Sequence, residues 1–136
     1  MAVRTYNDWL RNLLVNVECV LAFDTAADFL GLTNGGYRPL AQIFVDKRQN
    51  IEGTEQIVVP SLKMIECEER NGLICTTVNR TIIDLLEQNG DEQIIAESLA
   101  NYYEEHDESF EGLAIPEYLR PRFEKYKMMA LKYYEE

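Results

Sequence analysis

The sequence predicts a single α+β domain over residues 1–136, with a small antiparallel or mixed sheet packed by an N-terminal helix and three C-terminal helices. Three observations support this fold class. A length of 136 residues is typical of one domain. Asn71-Gly72 lies between two apolar runs, which is a typical sequence for a two-residue hairpin turn. After residue 78, apolar side chains recur at helical spacing instead of alternating.

The N-terminal residues predict a helix followed by a short strand. In residues 6–16 the apolar side chains recur every three or four positions, and Thr5 is a suitable N-cap. Residues 17–23, VECVLAF, are apolar and partly β-branched, so they fit either a short strand or a continuation of the helix. Both alternatives stay open for this segment.

A second, shorter helix is predicted in the segment DTAADFLGL. Asp24 or Thr25 would cap its start, and Gly31 would end it. Residues 34–39 contain two glycines and a proline, which indicate a loop. Two strands are predicted in the apolar segments that follow this loop: AQIFVDKR (41–48) and TEQIVVP (54–60).

The hairpin at Asn71-Gly72 adds two more strands to the predicted sheet. With two residues in the turn, Cys67 lies opposite Thr76. Cys67 and Cys75 then point to opposite faces of the sheet, because successive side chains in a strand alternate. This pairing argues against a disulfide or a shared zinc site between these two cysteines.

Three helices are predicted after the hairpin. The first, NRTIIDLLEQNG, would be capped by Thr76 or Thr77 and stopped at Gly90. The second covers residues 91–108, and the third begins at Pro116. The apolar face of the third helix is predicted to contain Tyr118, Leu119, Phe123, Tyr126, Met129 and Tyr133.

The negative charge of the chain is concentrated in one segment. The formal net charge is −11, from 24 acidic and 13 basic residues. No Lys or Arg occurs between Arg80 and Arg120, whereas residues 81–119 hold eleven acids. This asymmetry favours a positively charged partner. It argues against direct nucleic-acid binding through the segment, because phosphate contacts need cations.

The densest part of this segment is NYYEEHDESFEG, residues 101–112. Carboxylates beside tyrosines suit a surface that meets a basic protein, since tyrosine offers apolar area and a hydroxyl. The alternative is an ordinary solvated helix face. The candidate partner-binding residues are Tyr102, Tyr103, Glu104, Glu105, Asp107, Glu108 and Glu111.

No catalytic constellation, cofactor motif or metal site is predicted. His106 is the single histidine, and its neighbouring acids favour a solvated helix-end position over a role as general base or ligand. The acidic run lacks the alternate-position ligands and glycine of an EF-hand loop. The sequence therefore predicts a protein that is not an enzyme.

Two phrases of the sequence resemble AbiEi-type antitoxins of type IV toxin–antitoxin systems. AFDTAADFLGLTNGG is similar to a segment in which a small helix ends in a Gly-Leu turn. NGLICTTVNRTIIDLL is similar to one in which a hairpin strand runs into a helix, although Val78-Asn79 replaces the family's Pro-Glu. The resemblance spans roughly residues 20–112. The second phrase is matched at Gly72, Arg80, Thr81, Asp84, Leu85 and Leu86.

The resemblance implies a protein-binding domain that counters a nucleotidyltransferase-like toxin and performs no reaction itself. It implies structural roles for Arg80, Thr81 and Asp84. The four-residue spacing of Arg80 and Asp84 independently allows an ion pair on one helix face. Such antitoxins usually begin with a winged-helix DNA-binding domain, and only one helix is predicted before residue 20, so a winged helix is not expected here.

Two functions are therefore predicted. The first is an antitoxin-like interaction protein that neutralises a bacterial toxin or defence protein. The second is an acidic inhibitor from a phage or mobile element, such as an anti-CRISPR or anti-restriction protein, which occupies a basic nucleic-acid channel. No apolar run approaches the roughly 20 residues that span a bilayer, so no membrane contact is expected. Three scattered cysteines and an N-terminus unlike a signal peptide indicate the cytoplasm.

Overall fold

The computed structural model describes residues 6–33 and 40–135, and its architecture confirms the predicted α+β class. This described part contains five α-helices, two short 3₁₀ turns (Leu62–Met64 and Glu117–Leu119) and one five-stranded mixed sheet. The helices are α1 (Tyr6–Leu13), α2 (Phe23–Phe29), α3 (Val78–Gln88), α4 (Glu92–Glu105) and α5 (Arg120–Glu135). The strands are β1 (Val20–Leu21), β2 (Ala41–Val45), β3 (Thr54–Val58), β4 (Cys67–Arg70) and β5 (Leu73–Thr76).

The sheet has the strand order β3-β2-β1-β5-β4. The short strand β1 lies at its centre, antiparallel to β2 and parallel to β5. Strands β2 and β3 are parallel, with Ala41 paired with Thr54. The strand alternative for residues 17–23 is therefore correct, and two residues of this segment join the two halves of the sheet.

The hairpin between β4 and β5 has the predicted register. Cys67 lies opposite Thr76, and the two turn residues, Asn71 and Gly72, have φ values of +50° and +82°. Left-handed conformations at both central residues are characteristic of a type I′ turn. As expected from the register, Cys67 is exposed and Cys75 is buried, and both are free thiols. Burial raises the pKa of the Cys75 thiol to about 11, so this thiol stays protonated at neutral pH.

Two hydrophobic clusters hold the helices in place. The first cluster lies between one face of the sheet and helices α1 and α2. The fully buried side chains of this cluster include Leu10, Leu21 and Ile43. An eight-residue helix such as α1 is too short to be stable alone, so burial of residues such as Leu10 keeps it folded, at about 1.5–3 kcal/mol per large apolar side chain. The second cluster lies among α2, α3, α4 and α5, around Leu86 and Leu99.

Helix α1 is shorter than predicted, because it ends at Leu13 and not at residue 16. Asn16 has a φ of +62°, and the chain turns there before entering β1. The predicted cap at Thr5 and the predicted loop at residues 34–39 lie outside the described residues.

The predicted caps of α2 are wrong. Ala22 is the N-cap, and no side chain caps the helix. The Thr25 hydroxyl accepts a hydrogen bond from the Gln42 backbone N–H (2.9 Å), while the Asp24 N–H donates to Gln42 Oε1 (3.0 Å). These polar groups thus fasten α2 to strand β2. The predicted end at Gly31 is confirmed: its φ is +79°, and the Leu32 N–H donates to the Ala27 carbonyl in a Schellman motif.

Helix α3 spans Val78–Gln88, so it begins one residue before the predicted Asn79 and ends before the predicted stop at Gly90, whereas the predicted cap at Thr77 is confirmed. The Thr77 hydroxyl accepts the Arg80 N–H (3.2 Å) as an N-cap. Asn89, with a φ of +52°, is the left-handed residue at its C-terminus, so Gly90 does not supply this conformation. Asparagine is one of the few non-glycine residues that adopt this conformation readily.

Helices α4 and α5 differ from the prediction at their ends. Asp91 caps α4, which ends at Glu105 and not at residue 108. Pro116 starts a 3₁₀ turn, and α5 itself begins at Arg120. Tyr118 in this turn is 66% exposed, so it is not on the apolar face. Leu119, Phe123 and Tyr126 are buried as predicted, and Met129 is partly buried; the Tyr133 side chain lies outside those described.

Candidate functional site

The acidic residues singled out by the sequence lie where the chain leaves helix α4. Buried Leu99 and Tyr102 anchor the last turns of the helix against α5. Glu105 is the last helical residue, and the chain then reverses toward Leu113. We call residues 104–111 the acidic turn. Its carboxylates, all on exposed residues, belong to Glu104, Glu105, Asp107, Glu108 and Glu111.

Several contacts fix the shape of the acidic turn. The Glu108 N–H donates to the Tyr103 carbonyl (2.9 Å), which closes the helix end. The His106 ring stacks on the Tyr102 ring, with centroids 3.8 Å apart. His106 Nδ1 lies 2.8 Å from the Tyr102 carbonyl oxygen, and the Tyr102 hydroxyl donates to the Glu111 carbonyl (2.9 Å). Both ends of the turn are therefore tied to Tyr102.

The backbone of the acidic turn is strained. Asp107 and Glu108 have φ values of +54° and +57°, so two consecutive non-glycine residues are left-handed. Aspartate adopts this region fairly readily, but glutamate is not among the residues enriched there. Conformations of this kind persist only when surrounding contacts impose them, and they cluster at functional sites.

The five carboxylates of the acidic turn have no ion-pair partner among the described residues. At the opposite end of α4, by contrast, Glu92 pairs with Lys125 of α5 at 3.2 Å. One carboxylate at the start of α4 is thus paired with a neighbouring helix, whereas the carboxylates at its end are exposed and form no ion pair with a described residue. This arrangement is well suited to attract a positively charged surface.

A cleft of about 530 Å³ adjoins the acidic turn, and Glu108 and Glu111 form part of its lining. Aromatic rings supply its apolar surface: the Tyr103 and Phe110 centroids are 4.9 Å apart, and Phe110 meets Phe123 edge-on at 5.8 Å. The α5 side of the cleft contributes two cations, Arg120 and Lys127. The Lys127 ammonium lies 5.7 Å from the Phe110 centroid, within range of a cation–π interaction.

The structure brings six of the seven predicted contact residues to this surface. Tyr103 is half-buried and lines the cleft beside the acidic turn. Tyr102 must be removed from the set, because it is only 4% exposed and burial raises the pKa of its hydroxyl. Its ring supports the turn from inside, since Tyr102 belongs to the buried core cluster and its hydroxyl donates to the Glu111 carbonyl.

The sequence prediction missed the aromatic and cationic part of the cleft. Phe110 is not among the predicted contact residues, and Arg120, Phe123 and Lys127 belong to a helix that is distant in the sequence. The spacing of three and four residues among Arg120, Phe123 and Lys127 would have placed them on one helical face. Nothing local to α5 indicates that this face meets the end of α4.

Of the residues that carry the antitoxin resemblance, Arg80, Thr81 and Asp84 lie elsewhere, on α3. Arg80 Nε donates to Asp84 Oδ1 at 2.9 Å, which confirms the expected ion pair. Thr81 is fully buried, and its hydroxyl donates to the Thr77 carbonyl (2.7 Å). Burial raises the pKa of the Asp84 carboxyl, and Arg80 offsets only part of this effect. Asp84 Oδ2 is buried without a hydrogen-bond partner.

The described residues contain no group of three or more His, Cys, Asp or Glu side chains that could hold a metal ion. His106 sits at the exposed end of α4, as expected, with its Nδ1 turned to the backbone. Within residues 6–33 and 40–135, no helix is both long and apolar enough to cross a membrane.

Comparisons with protein-family models, with curated proteins and with solved structures found no match to this chain. The resemblance to AbiEi-type antitoxins therefore stays a prediction based on two sequence phrases. What the chain does has to be inferred from its own residues, foremost the acidic turn and the cleft beside it.

Proposed function

We propose that this chain is a non-catalytic interaction protein that binds a partner with a basic surface through the acidic turn and the adjoining cleft. The observation that carries this proposal is the pair of left-handed residues, Asp107 and Glu108, within a set of carboxylates that form no ion pair with any described residue. Left-handed non-glycine residues cluster at functional sites, and here they hold exposed carboxylates at the end of α4.

The charge of the surface and its aromatic content have separate roles in this proposal. Carboxylates steer a basic partner and accelerate encounter, but rim charges contribute modestly to affinity. Affinity comes from buried aromatic anchors, and Tyr103 and Phe110 beside the turn offer such area. The cations Arg120 and Lys127 would donate hydrogen bonds to one acidic or carbonyl group of the partner, which adds specificity.

In the first form of this function, the chain is antitoxin-like and neutralises a bacterial toxin or a defence protein. The resemblance of the Arg80, Thr81 and Asp84 phrase to AbiEi-type antitoxins supports this form. In the second form, the chain is an acidic inhibitor that occupies a nucleic-acid channel. Five exposed carboxylates that pair with no cation in the described part of the chain favour this form, because a channel built for phosphates already carries Lys and Arg.

The binding test compares two variants with the same change in net charge. One neutralises the acidic turn through Glu104→Gln, Glu105→Gln, Asp107→Asn, Glu108→Gln and Glu111→Gln. The control neutralises five other exposed acids through Glu18→Gln, Asp46→Asn, Glu52→Gln, Glu66→Gln and Glu69→Gln. Each variant is co-expressed with the products of the reading frames next to its gene, and affinity for any partner is measured at several salt concentrations.

We expect the acidic-turn variant to lose at least about tenfold in affinity and most of its salt dependence, because exposed charges are screened over about 10 Å at 0.1 M salt. The control should change affinity by less than about threefold. Equal losses in the two variants would mean that net charge alone matters, and the acidic turn would not be the binding site.

A competition experiment with the same partner separates the two forms of the function. Duplex DNA or RNA is titrated into the complex of the chain and its partner. If nucleic acid displaces the chain, the chain occupies the nucleic-acid channel of its partner, as expected for an inhibitor. If nucleic acid, chain and partner form a ternary complex in which the partner's activity stays blocked, the antitoxin-like form is supported.

A further inference from the structure

A second cavity, of about 350 Å³, lies between α3 and the sheet. It shares no lining residue with the cleft beside the acidic turn. Its walls combine two aromatic rings, an arginine, two carboxylates and an amide, contributed by Phe23, Phe44, Arg80, Asp84, Glu87 and Gln88. Nothing in the proposed binding of a basic surface uses this cavity.

The aromatic wall of the cavity is held in a strained arrangement. The Phe23 and Phe44 rings are tilted at 45°, with their centroids 5.6 Å apart. Phe44 is buried, whereas Phe23 is half-buried and has a φ of +50°, which is a rare conformation for a bulky residue. Hydrogen bonds on both sides of Phe23 impose this conformation, because the Ala22 and Asp24 N–H groups both donate to Gln42.

The polar wall of the cavity contains an incomplete hydrogen-bond arrangement. The Arg80 guanidinium lies 5.7 Å from the Phe44 centroid and binds Asp84 through Nε and Oδ1. Asp84 is only 6% exposed, and its other oxygen, Oδ2, has no hydrogen-bond partner among residues 6–33 and 40–135. A buried acceptor without a donor is unfavourable, so a group that donates to Oδ2 would stabilise the site.

We propose that this cavity receives an aromatic side chain of a partner protein that carries a hydrogen-bond donor, namely tryptophan or tyrosine, and that this donor bonds to Asp84. The ring would contact Phe23 and Phe44 and stack against the Arg80 guanidinium. The volume is at the small end of the range of about 300–1,000 Å³ found for ligand sites, which suits one side chain.

Two other occupants fit the cavity less well. A lysine or arginine would lie against the Arg80 guanidinium, which already neutralises Asp84. A phenylalanine would fill the space but leave Asp84 Oδ2 without a donor. Because Oδ2 is closed to solvent in the free chain, the proposal requires a side-chain movement that opens Oδ2 to the incoming donor.

The test uses the chain alone with three small probes: indole, 1-methylindole and methylguanidinium. Amide NMR shifts are followed during each titration. We expect indole to bind with a Kd on the order of millimolar, as for other small fragments, and to shift the amides of Phe23, Phe44 and Asp84. 1-Methylindole lacks the donor and should bind about fivefold more weakly, which corresponds to one hydrogen bond. Methylguanidinium should not shift these amides.

Equal affinity for indole and 1-methylindole, or tighter binding of methylguanidinium, would overturn the proposal. So would indole shifts confined to the cleft beside the acidic turn. Because the probes bind the isolated chain, failure here leaves the proposed binding of a basic partner untouched.

The variant Asp84→Asn provides a second readout. If the asparagine Oδ1 keeps the bond from Arg80, its amide nitrogen takes the place of Oδ2 and cannot accept a donor. The preference for indole over 1-methylindole should then fall to about one, whereas the exposed control Asp46→Asn should keep the fivefold preference. A preserved preference in folded Asp84→Asn would exclude Asp84 as the acceptor. If this variant does not fold, the probe comparison on the native chain still decides.

Discussion

Replacing Glu108 with glycine is expected to stabilise the protein, although it removes a side chain. Glu108 has a φ of +57° and follows Asp107, which has a φ of +54°. Its backbone N–H donates to the Tyr103 carbonyl, so the left-handed conformation is part of the way α4 ends. Glycine adopts this region without the steric conflict of a β-carbon and preserves the hydrogen bond.

The magnitude follows from two opposing terms. Removing the steric conflict of a β-carbon in the left-handed conformation stabilises the folded state by about 1–2 kcal/mol. The greater flexibility of glycine in the unfolded chain costs about 0.5–1 kcal/mol. The net gain in the free energy of unfolding then lies within about 0–1.5 kcal/mol and is centred on about 0.75 kcal/mol, which corresponds to about 2–4 °C in the thermal midpoint for a domain of this size.

Removing a negative charge from the acidic turn could also stabilise the protein, so the control is Glu108→Gln. This variant removes the charge and keeps the β-carbon. The difference between the two variants in urea unfolding isolates the effect of the left-handed backbone. We expect the midpoint urea concentration of Glu108→Gly to exceed that of Glu108→Gln by about 0.25–0.5 M. If Glu108→Gly is no more stable than Glu108→Gln, the acidic turn is not strained. The turn would then be an ordinary helix end and not a surface shaped for binding.

Two further predictions test the surroundings of the acidic turn and of Asp84. In thermal unfolding, Gly112→Ala should destabilise the protein by about 2–3 kcal/mol, because the φ of Gly112 is +97° and a β-carbon would lie 2.9 Å from the Tyr102 hydroxyl. The control Gly72→Ala should cost only about 1 kcal/mol, because the φ of Gly72 is +82° but no described atom lies within 4 Å of the added β-carbon. A similar cost at both positions would contradict the close contact with Tyr102. Burial raises the pKa of Asp84 in the folded chain. Between the ordinary aspartate pKa and this raised pKa, the folded chain keeps a proton that the unfolded chain releases. The contribution of Asp84 to the free energy of unfolding therefore falls as the pH rises through this interval. Between pH 4 and pH 7 the native protein should therefore lose stability relative to Asp84→Asn in urea unfolding, and the opposite trend would show that Arg80 outweighs burial.

Local chemistry accounts for the features that the sequence predicted correctly. The register of the hairpin follows from Asn71-Gly72, since both residues tolerate the left-handed conformations that a type I′ turn requires. The Thr77 cap and the ion pair between Arg80 and Asp84 depend on residues three or four positions apart in one helix. The segregation of charge into residues 81–119 is likewise visible without any structure.

Predictions failed where a distant segment competed for the same group. Asp24 and Thr25 have the side chains of helix caps, but the Thr25 hydroxyl accepts the Gln42 N–H, and the Asp24 backbone N–H donates to the Gln42 side chain. Gly90 is the typical residue for ending a helix, yet the turn is made at Asn89, whose side chain also accepts the Tyr126 hydroxyl at 2.6 Å. A cap preference is worth about 1 kcal/mol, and one tertiary hydrogen bond is enough to override it.

The sequence by itself determined the fold class, the hairpin register and the position of the acidic residues, because each depends on propensities and spacings within a few residues. Only the tertiary structure decided the strand order β3-β2-β1-β5-β4, the burial of Tyr102 and the two cavities. The cleft needs α5 against the end of α4, and the cavity of Phe23 and Phe44 needs α3 against the sheet. Such contacts join segments far apart in the chain, and they are selected by packing and burial of the whole domain, which no local pattern encodes.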